Sequence, residues 1–270
     1  MTGMAELMDE IVEDVDAILV FSQDVSTFDR FEDEGLPLIA VAQENTANTD
    51  QFVSLPLEFT DVYGRVRFGL EGALNQGFVD EGDDVVCLTR SFDQSRIDTI
   101  IRVRADEFTQ TGVYNLFTNS RADPDVIRDV FEVAIELGKK GQKGKQVGAL
   151  FVVGDAGKVM NKSRPLSYNP FEKSHVHVGD PIVNVMLKEF SRLDGAFVIS
   201  DAGKIVSAYR YLEPAAEGVD IPKGLGARHM AAGAITRDTN AIAIVLSESD
   251  AMVRAFKAGE IVLELDPEEY

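Results

Sequence analysis

Three short segments of the 270-residue chain carry residue types and spacings that could do chemistry. The first is Asp194-Gly195-Ala196, set directly before an apolar run. A carboxylate followed by two small residues lets a ligand approach the backbone while the acid holds a cation or accepts a proton. The second is Gly226-Ala227-Arg228-His229, two adjacent donors after a glycine loop and ahead of small residues suited to helix packing. An arginine fork and an imidazole opening a helix suit an anion, because the helix N-terminus adds its own N–H groups. The third is Ser247-Glu248, which closes the apolar run 241–246 with a hydroxyl and a carboxylate placed for a metal ion or its water. Each segment alone also has a plainer reading: an Asp-Gly turn, a solvated surface pair and an N-capping serine. Two other candidates tilt to the plain side. His175 and His177 alternate as on a strand with no third ligand near, and Cys87 sits in an apolar run as a core residue would.

The elements that must position these residues are of α/β type. In the first half, apolar runs at 16–21, 36–41, 84–88 and 99–103 are separated by helix-length gaps and predict parallel strands buried on both faces. Residues 63–74 predict a helix before the third of them. Asp123-Pro124 reads as a helix start, and Val126, Ile127, Val130, Phe131, Val133, Ala134 and Leu137 follow at helical spacing, with Gly138 as the stop. Residues 139–145 are a basic, solvated loop. Beyond it, strands are expected at 147–153, 195–199, 204–209 and 241–246, and helices at 182–190 and within 226–235. A mixed sheet flanked by helices is the expected result. The expected domains are 1–110 and 125–270, joined by a linker at 111–124.

Charge narrows the function classes. Asp and Glu total 46 against 26 Lys and Arg, a formal net charge of −20. Such a surface repels nucleic-acid backbones and anionic lipid, so neither is an expected partner. The acids are dispersed, and no lysine precedes Lys139, a pattern that concentrated salt would favour by screening self-repulsion. No apolar run approaches the roughly 20 residues of a membrane helix, and no basic-then-apolar leader opens the chain. A single cysteine rules out an intrachain disulfide or a cysteine-rich zinc site, and a cytoplasmic location is expected.

Taken together, in this order and at these spacings, the three segments resemble the diadenylate cyclase (DAC) family. That family carries Asp-Gly-Ala, then Arg-His-Arg, then Ser-Glu-Glu. Gly148-Ala149-Leu150, Tyr211-Leu212 and Leu225-Gly226 match its surroundings, and the resemblance spans about residues 125–265. Ala227 stands where many bacterial members have Thr, Met230 replaces the second arginine, and Ser249 replaces the second acid. These departures remove part of the phosphate and metal contacts, yet Asp194, Arg228, His229 and Glu248 remain, which fits an archaeal branch. Residues 77–88 and 97–103 are similar to the last α/β domain of pyruvate kinase, which precedes the cyclase domain in archaeal members. The fold implied is a pyruvate-kinase-C-terminal-like α/β domain followed by a DAC domain with a mixed β-sheet flanked by helices.

The resemblance implies a reaction: two ATP molecules joined into cyclic di-AMP with loss of two pyrophosphates, a second messenger tied to osmotic balance. Asp194 and Glu248 would hold Mn²⁺ or Mg²⁺, and Asp194 would favour the 3′-alkoxide. Gly195 and Ala196 would leave room for the nucleotide beside Gly226 and Ala227. Arg228, His229 and Ser247 would grip phosphates, and Tyr211 and Leu212 would pack on adenine. One domain holds one ATP, so a homodimer or higher homo-oligomer is implied. The alternative is a catalytically silent sensor that binds ATP or cyclic di-AMP; Met230 and Ser249 favour it, and the intact Asp-Gly-Ala and Arg-His cores oppose it. Two copies at −20 each repel at low ionic strength, so cyclase activity should rise with KCl, and a rate that falls steadily from low to high KCl would contradict this.

Overall fold

In the computed structural model, residues 14–22, 36–46, 48–56, 59, 62–92, 96–105, 113–141, 145–190, 194–213, 222 and 224–269 are described. The chain divides into two compact units, Met1–Tyr114 and Asn115–Tyr270.

In the first unit, short apolar runs become β1 (Ala17–Val20), β2 (Leu38–Ala42), β3 (Phe52–Ser54), β4 (Asp84–Thr89) and β5 (Thr99–Arg104), with helix α1 (Val62–Asn75) before β4. The sheet order is β3-β2-β1-β4-β5. β1 runs parallel to β2 and β4, and β2 parallel to β3. All of β1 and β2 and nearly all of β4 are buried, as strands covered on both faces should be. The run at 99–103 departs from expectation. β5 pairs antiparallel with β4 and has no buried residue, because Arg102 and Arg104 alternate outward along an edge. β3, only three residues long, offered no alternation to read. Cys87 is fully buried in β4, and burial pushes its thiol well above the usual range.

Helix α2 (Val113–Thr118) straddles the boundary between the two units, in the segment expected as a linker. Helix α3 (Pro124–Lys140) starts as expected, with the Asp123 carboxylate accepting from the Asp125 N–H at 3.0 Å. It runs through Gly138 and ends at Gly141. Gly138 is an interior packing glycine: a Cβ there would lie 2.7 Å from Pro267 Cγ. Then come β6 (Ala149–Val153), α4 (Ala156–Asn161), β7 (Ser163–Pro165), α5 (Pro181–Phe190), β8 (Ala196–Ile199) and β9 (Ile205–Leu212). The unit finishes with α6 (Ala227–Asp238), β10 (Ile242–Leu246), β11 (Val253–Lys257) and β12 (Glu260–Leu265). These strands form one mixed sheet in the order β12-β11-β10-β6-β8-β9-β7. β6 and β8 are parallel, while β9 and β10 run against them.

Alternation along the strands divides the core in two. Leu150, Val152, Val198, Ala243 and Val245 join Val159 of α4 and Ala232 and Ile235 of α6 in one cluster. On the other face Phe151 and Phe197 stack with centroids 5.2 Å apart, and α3 packs on β6, β10 and β11. No helix among the described residues is long and apolar enough to cross a membrane. Phe151 is fully buried in its stack, so Phe151→Ala should cost about 3–5 kcal/mol, read as a lower midpoint of chemical unfolding. A loss under about 1 kcal/mol would mean the ring is not part of a close-packed core.

Candidate active site

Strand direction gathers the site. β8 begins at the same end of the sheet at which β9 and β10 finish, because both run antiparallel to the β6–β8 pair. Asp194 and Gly195 precede β8, Tyr211 and Leu212 end β9, and Ser247 and Glu248 follow β10. The N-terminus of α6 brings Gly226, Ala227, Arg228 and His229 to that end. All of these residues, with Ala196, line one cavity of about 830 Å³. That volume lies in the range of small-molecule and cofactor sites. Leu150, Leu166, Arg210, Ala231, Leu246 and Ser249 complete the wall. Of these, Arg210 and Leu166 went unnoticed in the sequence; adjacency of Arg210 to the Tyr-Leu pair was the one available signal.

Gly195 is explained by the fold before any ligand is considered. Its φ is +110°, and a Cβ would stand 2.7–2.9 Å from the backbone of Tyr209 and Arg210. The missing side chain therefore lets β8 start flush against β9. Tyr209 answers with a left-handed φ of +56°, beside the register shift between Ala196 and Val198. An irregularity of this kind re-aims the side chains that follow it. Arg210, Tyr211 and Leu212 all reach the cavity wall, although regular alternation would send the middle one to the other face.

The charges meet at Arg228. One of its terminal nitrogens lies 3.7 Å from an Asp194 oxygen, and the other donates to Glu248 at 3.2 Å. Room for the guanidinium comes from Gly148, whose Cβ would stand 2.5 Å from Arg228 Nη1. The Asp194 side chain is 94% exposed and that of Glu248 63%, so both carboxylates are solvated and open to a ligand. No group of three or more His, Cys, Asp or Glu able to hold a metal exists among the described residues. Two hard oxygen donors alone suit a Mg²⁺-like cation that completes its shell with water and substrate phosphates. His175 is exposed, and His177 turns Nδ1 to the Ala202 carbonyl at 3.1 Å, beyond the far end of β8.

His229 is the unusual member. It is 4% exposed, and neither ring nitrogen has a hydrogen-bond partner among the described residues. Its ring leans toward Phe256 at 6.1 Å. Burial, then the Arg254 and Arg228 guanidinium groups, hold its pKa below the ordinary value against the pull of Asp250 and Glu264. An orphaned neutral imidazole at a cavity wall is a donor awaiting an acceptor. Behind it, Arg254 binds Asp250 at 2.8 Å and Glu264 at 3.1 Å, holding the Asp250 carboxyl well below its usual range. Ser247 and Ser249 hydroxyls lie 3.2 Å apart. Ser249 thus occupies the wall where the family's second acid would stand, whereas Met230 is not among the lining residues.

An α/β domain with a helix N-terminus, an orphaned imidazole and an apolar wall at one sheet end suits a nucleotide. Comparison with known proteins agrees. Residues 136–261 match the family model described as DisA bacterial checkpoint controller nucleotide-binding (DAC), and residues 1–125 match the one described as diadenylate cyclase, N-terminal. The chain is 66% identical over its full length, and over all of the relative's, to the diadenylate cyclase of Haloferax volcanii. It is 41% identical to the diadenylate cyclase of Methanocaldococcus jannaschii over 75% of this chain and 66% of that protein. A solved DacA from Staphylococcus aureus aligns with 53% of this chain and 89% of its own at 21% identity and a TM-score of 0.40, too low to bear on the assignment. The chain belongs to the diadenylate cyclase family, with the archaeal, DacZ-type members.

Depression of the His229 pKa has a consequence for stability. The unfolded chain takes up that proton near the ordinary value of 6.5, before the folded one does. The contribution of neutral His229 is therefore complete above that pH and is lost as pH falls through the depressed folded value. Between about pH 7.5 and 5.5 the thermal midpoint should drop further in the wild type than in His229→Gln. Equal drops would show that His229 does not titrate as its burial demands.

Proposed function

We propose that this chain condenses two ATP molecules into cyclic di-AMP and two pyrophosphates, acting as a homodimer or higher homo-oligomer with one nucleotide per cavity. The observation that carries this reading is the convergence of Asp194-Gly195-Ala196, Arg228-His229 and Ser247-Glu248 on one cavity. Residues 125–270 hold the reaction, and residues 1–110 form a separate domain, in a cytoplasmic protein making a second messenger.

Adenine packs against Tyr211 and Leu212, where contact with an apolar or aromatic wall is worth about 1–3 kcal/mol per base. Phosphates meet Arg228, the N–H groups at the start of α6, the Ser247 hydroxyl and an N–H of neutral His229. Gly195 and Ala196 leave the nucleotide room beside Asp194, with Gly226 and Ala227 bordering the phosphates. Asp194 and Glu248 would hold Mg²⁺ or Mn²⁺, which would supply charge neutralisation at the phosphates and a lowered pKa for the attacking hydroxyl.

In each half-reaction, a 3′-oxygen forms a bond to the α-phosphorus of the opposing nucleotide. The bond from that phosphorus to the β-bridging oxygen breaks, and the electron pair leaves with pyrophosphate. The hydroxyl proton departs toward the Asp194 carboxylate. Arg228 stabilises the charge that builds on the phosphoryl oxygens.

The test is chromatography of nucleotides after incubation of the purified protein with ATP and Mn²⁺ in concentrated KCl. Cyclic di-AMP should appear, and Asp194→Asn should lower its rate by at least about 100-fold while ATP binding persists. Unchanged ATP across metals and salts, with binding intact, would replace this reading with the sensor.

A further inference from the structure

Tyr211 lies at the end of β9 on the cavity wall, and the residue is 50% exposed. A half-exposed aromatic would ordinarily sample rotamers and lose that freedom when a base packs on it. Here it is held. The edge strand β7 pairs with β9 so that Arg164 stands directly opposite Tyr211. The Arg164 guanidinium carbon lies 4.6 Å from the centre of the Tyr211 ring, at cation–π distance. Arg164 Nε donates to Glu213 Oε1 at 2.8 Å, a half-exposed pair that places the guanidinium over the ring. Backbone bonds close both ends of the clamp: Glu213 N–H donates to the Lys162 carbonyl at 2.8 Å, and Leu166 N–H to the Tyr209 carbonyl at 2.8 Å.

Arg164 is not itself among the residues lining the cavity, whereas Tyr211 and Leu166 on either side of it are. One face of the ring is taken, and what Tyr211 offers the cavity is its opposite face or edge. We infer that Arg164 is a positioning residue for nucleotide binding: clamped by Glu213, it pre-sets Tyr211 as the wall on which the base packs. It touches neither phosphate nor reacting atoms. This rests on the reading of Tyr211 as a base-contacting residue. The role belongs to binding rather than to chemistry, so it predicts a change in KM and Kd with kcat preserved.

The experiment compares wild type, Arg164→Gln, Arg164→Lys, Tyr211→Leu and the double variant Arg164→Gln/Tyr211→Leu, all in full-length protein. Equilibrium binding of ATP and the rate of cyclic di-AMP formation are both measured. Arg164→Gln should raise Kd and KM for ATP about three- to tenfold, with kcat within about twofold. Arg164→Lys, which keeps a cation over the ring, should recover most of that loss. In the Tyr211→Leu background, Arg164→Gln should have no further effect, because the ring through which it acts is gone. Additive losses in the double variant would overturn the proposal, as would a loss of kcat with KM unchanged. If wild type binds ATP but forms no cyclic product, the cyclase reading falls while the binding comparison still decides the role of Arg164. An active wild type whose Arg164→Gln variant binds ATP equally well sinks the clamp alone.

Discussion

In a chain with a formal charge of −20, two carboxylates share the wall of one cavity, and the Arg228 guanidinium is what makes that tolerable. It lies between Asp194 and Glu248, joined to both. Each pair is well solvated, so neither contributes much to folding, and both are cheap to rearrange when a ligand or cation arrives. The position of Arg228 is in turn imposed by several remote choices. Gly148 leaves space for its fork, Gly226 starts α6 without a side-chain cap, and the strand directions bring both carboxylates to the same end of the sheet. A Cβ at Gly148 would collide with the guanidinium itself, so the start of β6 bears on the charge balance of the site without touching a ligand.

The second constraint is steric and concerns the start of β8. Gly195 lies against the Tyr209 main chain, Tyr209 takes a left-handed conformation, and the β8–β9 register shifts beside them. A non-glycine residue at positive φ costs of order 1–3 kcal/mol unless its surroundings over-determine it. Here the irregularity coincides with three successive residues, Arg210, Tyr211 and Leu212, that all line the cavity. Arg210 shows how tightly this corner is tied. Its guanidinium donates to the Ser163 hydroxyl and to the Met160 and Ser163 carbonyls, joining β9 to β7 and the end of α4.

What the sequence disclosed follows from how local each signal is. The motif residues were legible because chemistry confines them to strand ends and a helix start, and their order survives in one dimension. Buried strands β1, β2, β4, β6, β8 and β10 were legible as apolar runs for the same reason. β5 misled because its three apolar residues resemble a buried strand until its arginines are placed on an edge. α4 was not legible, because it has only six residues and opens at Asp155, which takes a left-handed φ. Gly138 looked like a helix stop because its reason, Pro267, lies far along the chain. β7 was invisible: three residues including a proline carry no alternation, and its partner is in β9. Leu166, Arg164 and the clamp on Tyr211 were hidden with it.

Exposure of Asp194 bears on how the proposed chemistry is arranged. Electrostatic stabilisation of a phosphoryl transfer is strong in a dry, enclosed site and weak in open water. A carboxylate that is 94% exposed at a cavity mouth has no such enclosure within one copy of the chain. On the inner side of the cavity, by contrast, His229 and Ser247 are both nearly inaccessible. On the proposed reading, the open side is where a second nucleotide, carried by a second copy, would complete the reaction and exclude water. On that reading this cavity is half of a reaction chamber, and chemistry waits on encounter. That places the −20 charge in a second role, because the same acids that keep copies apart in dilute salt would set how readily the chamber forms.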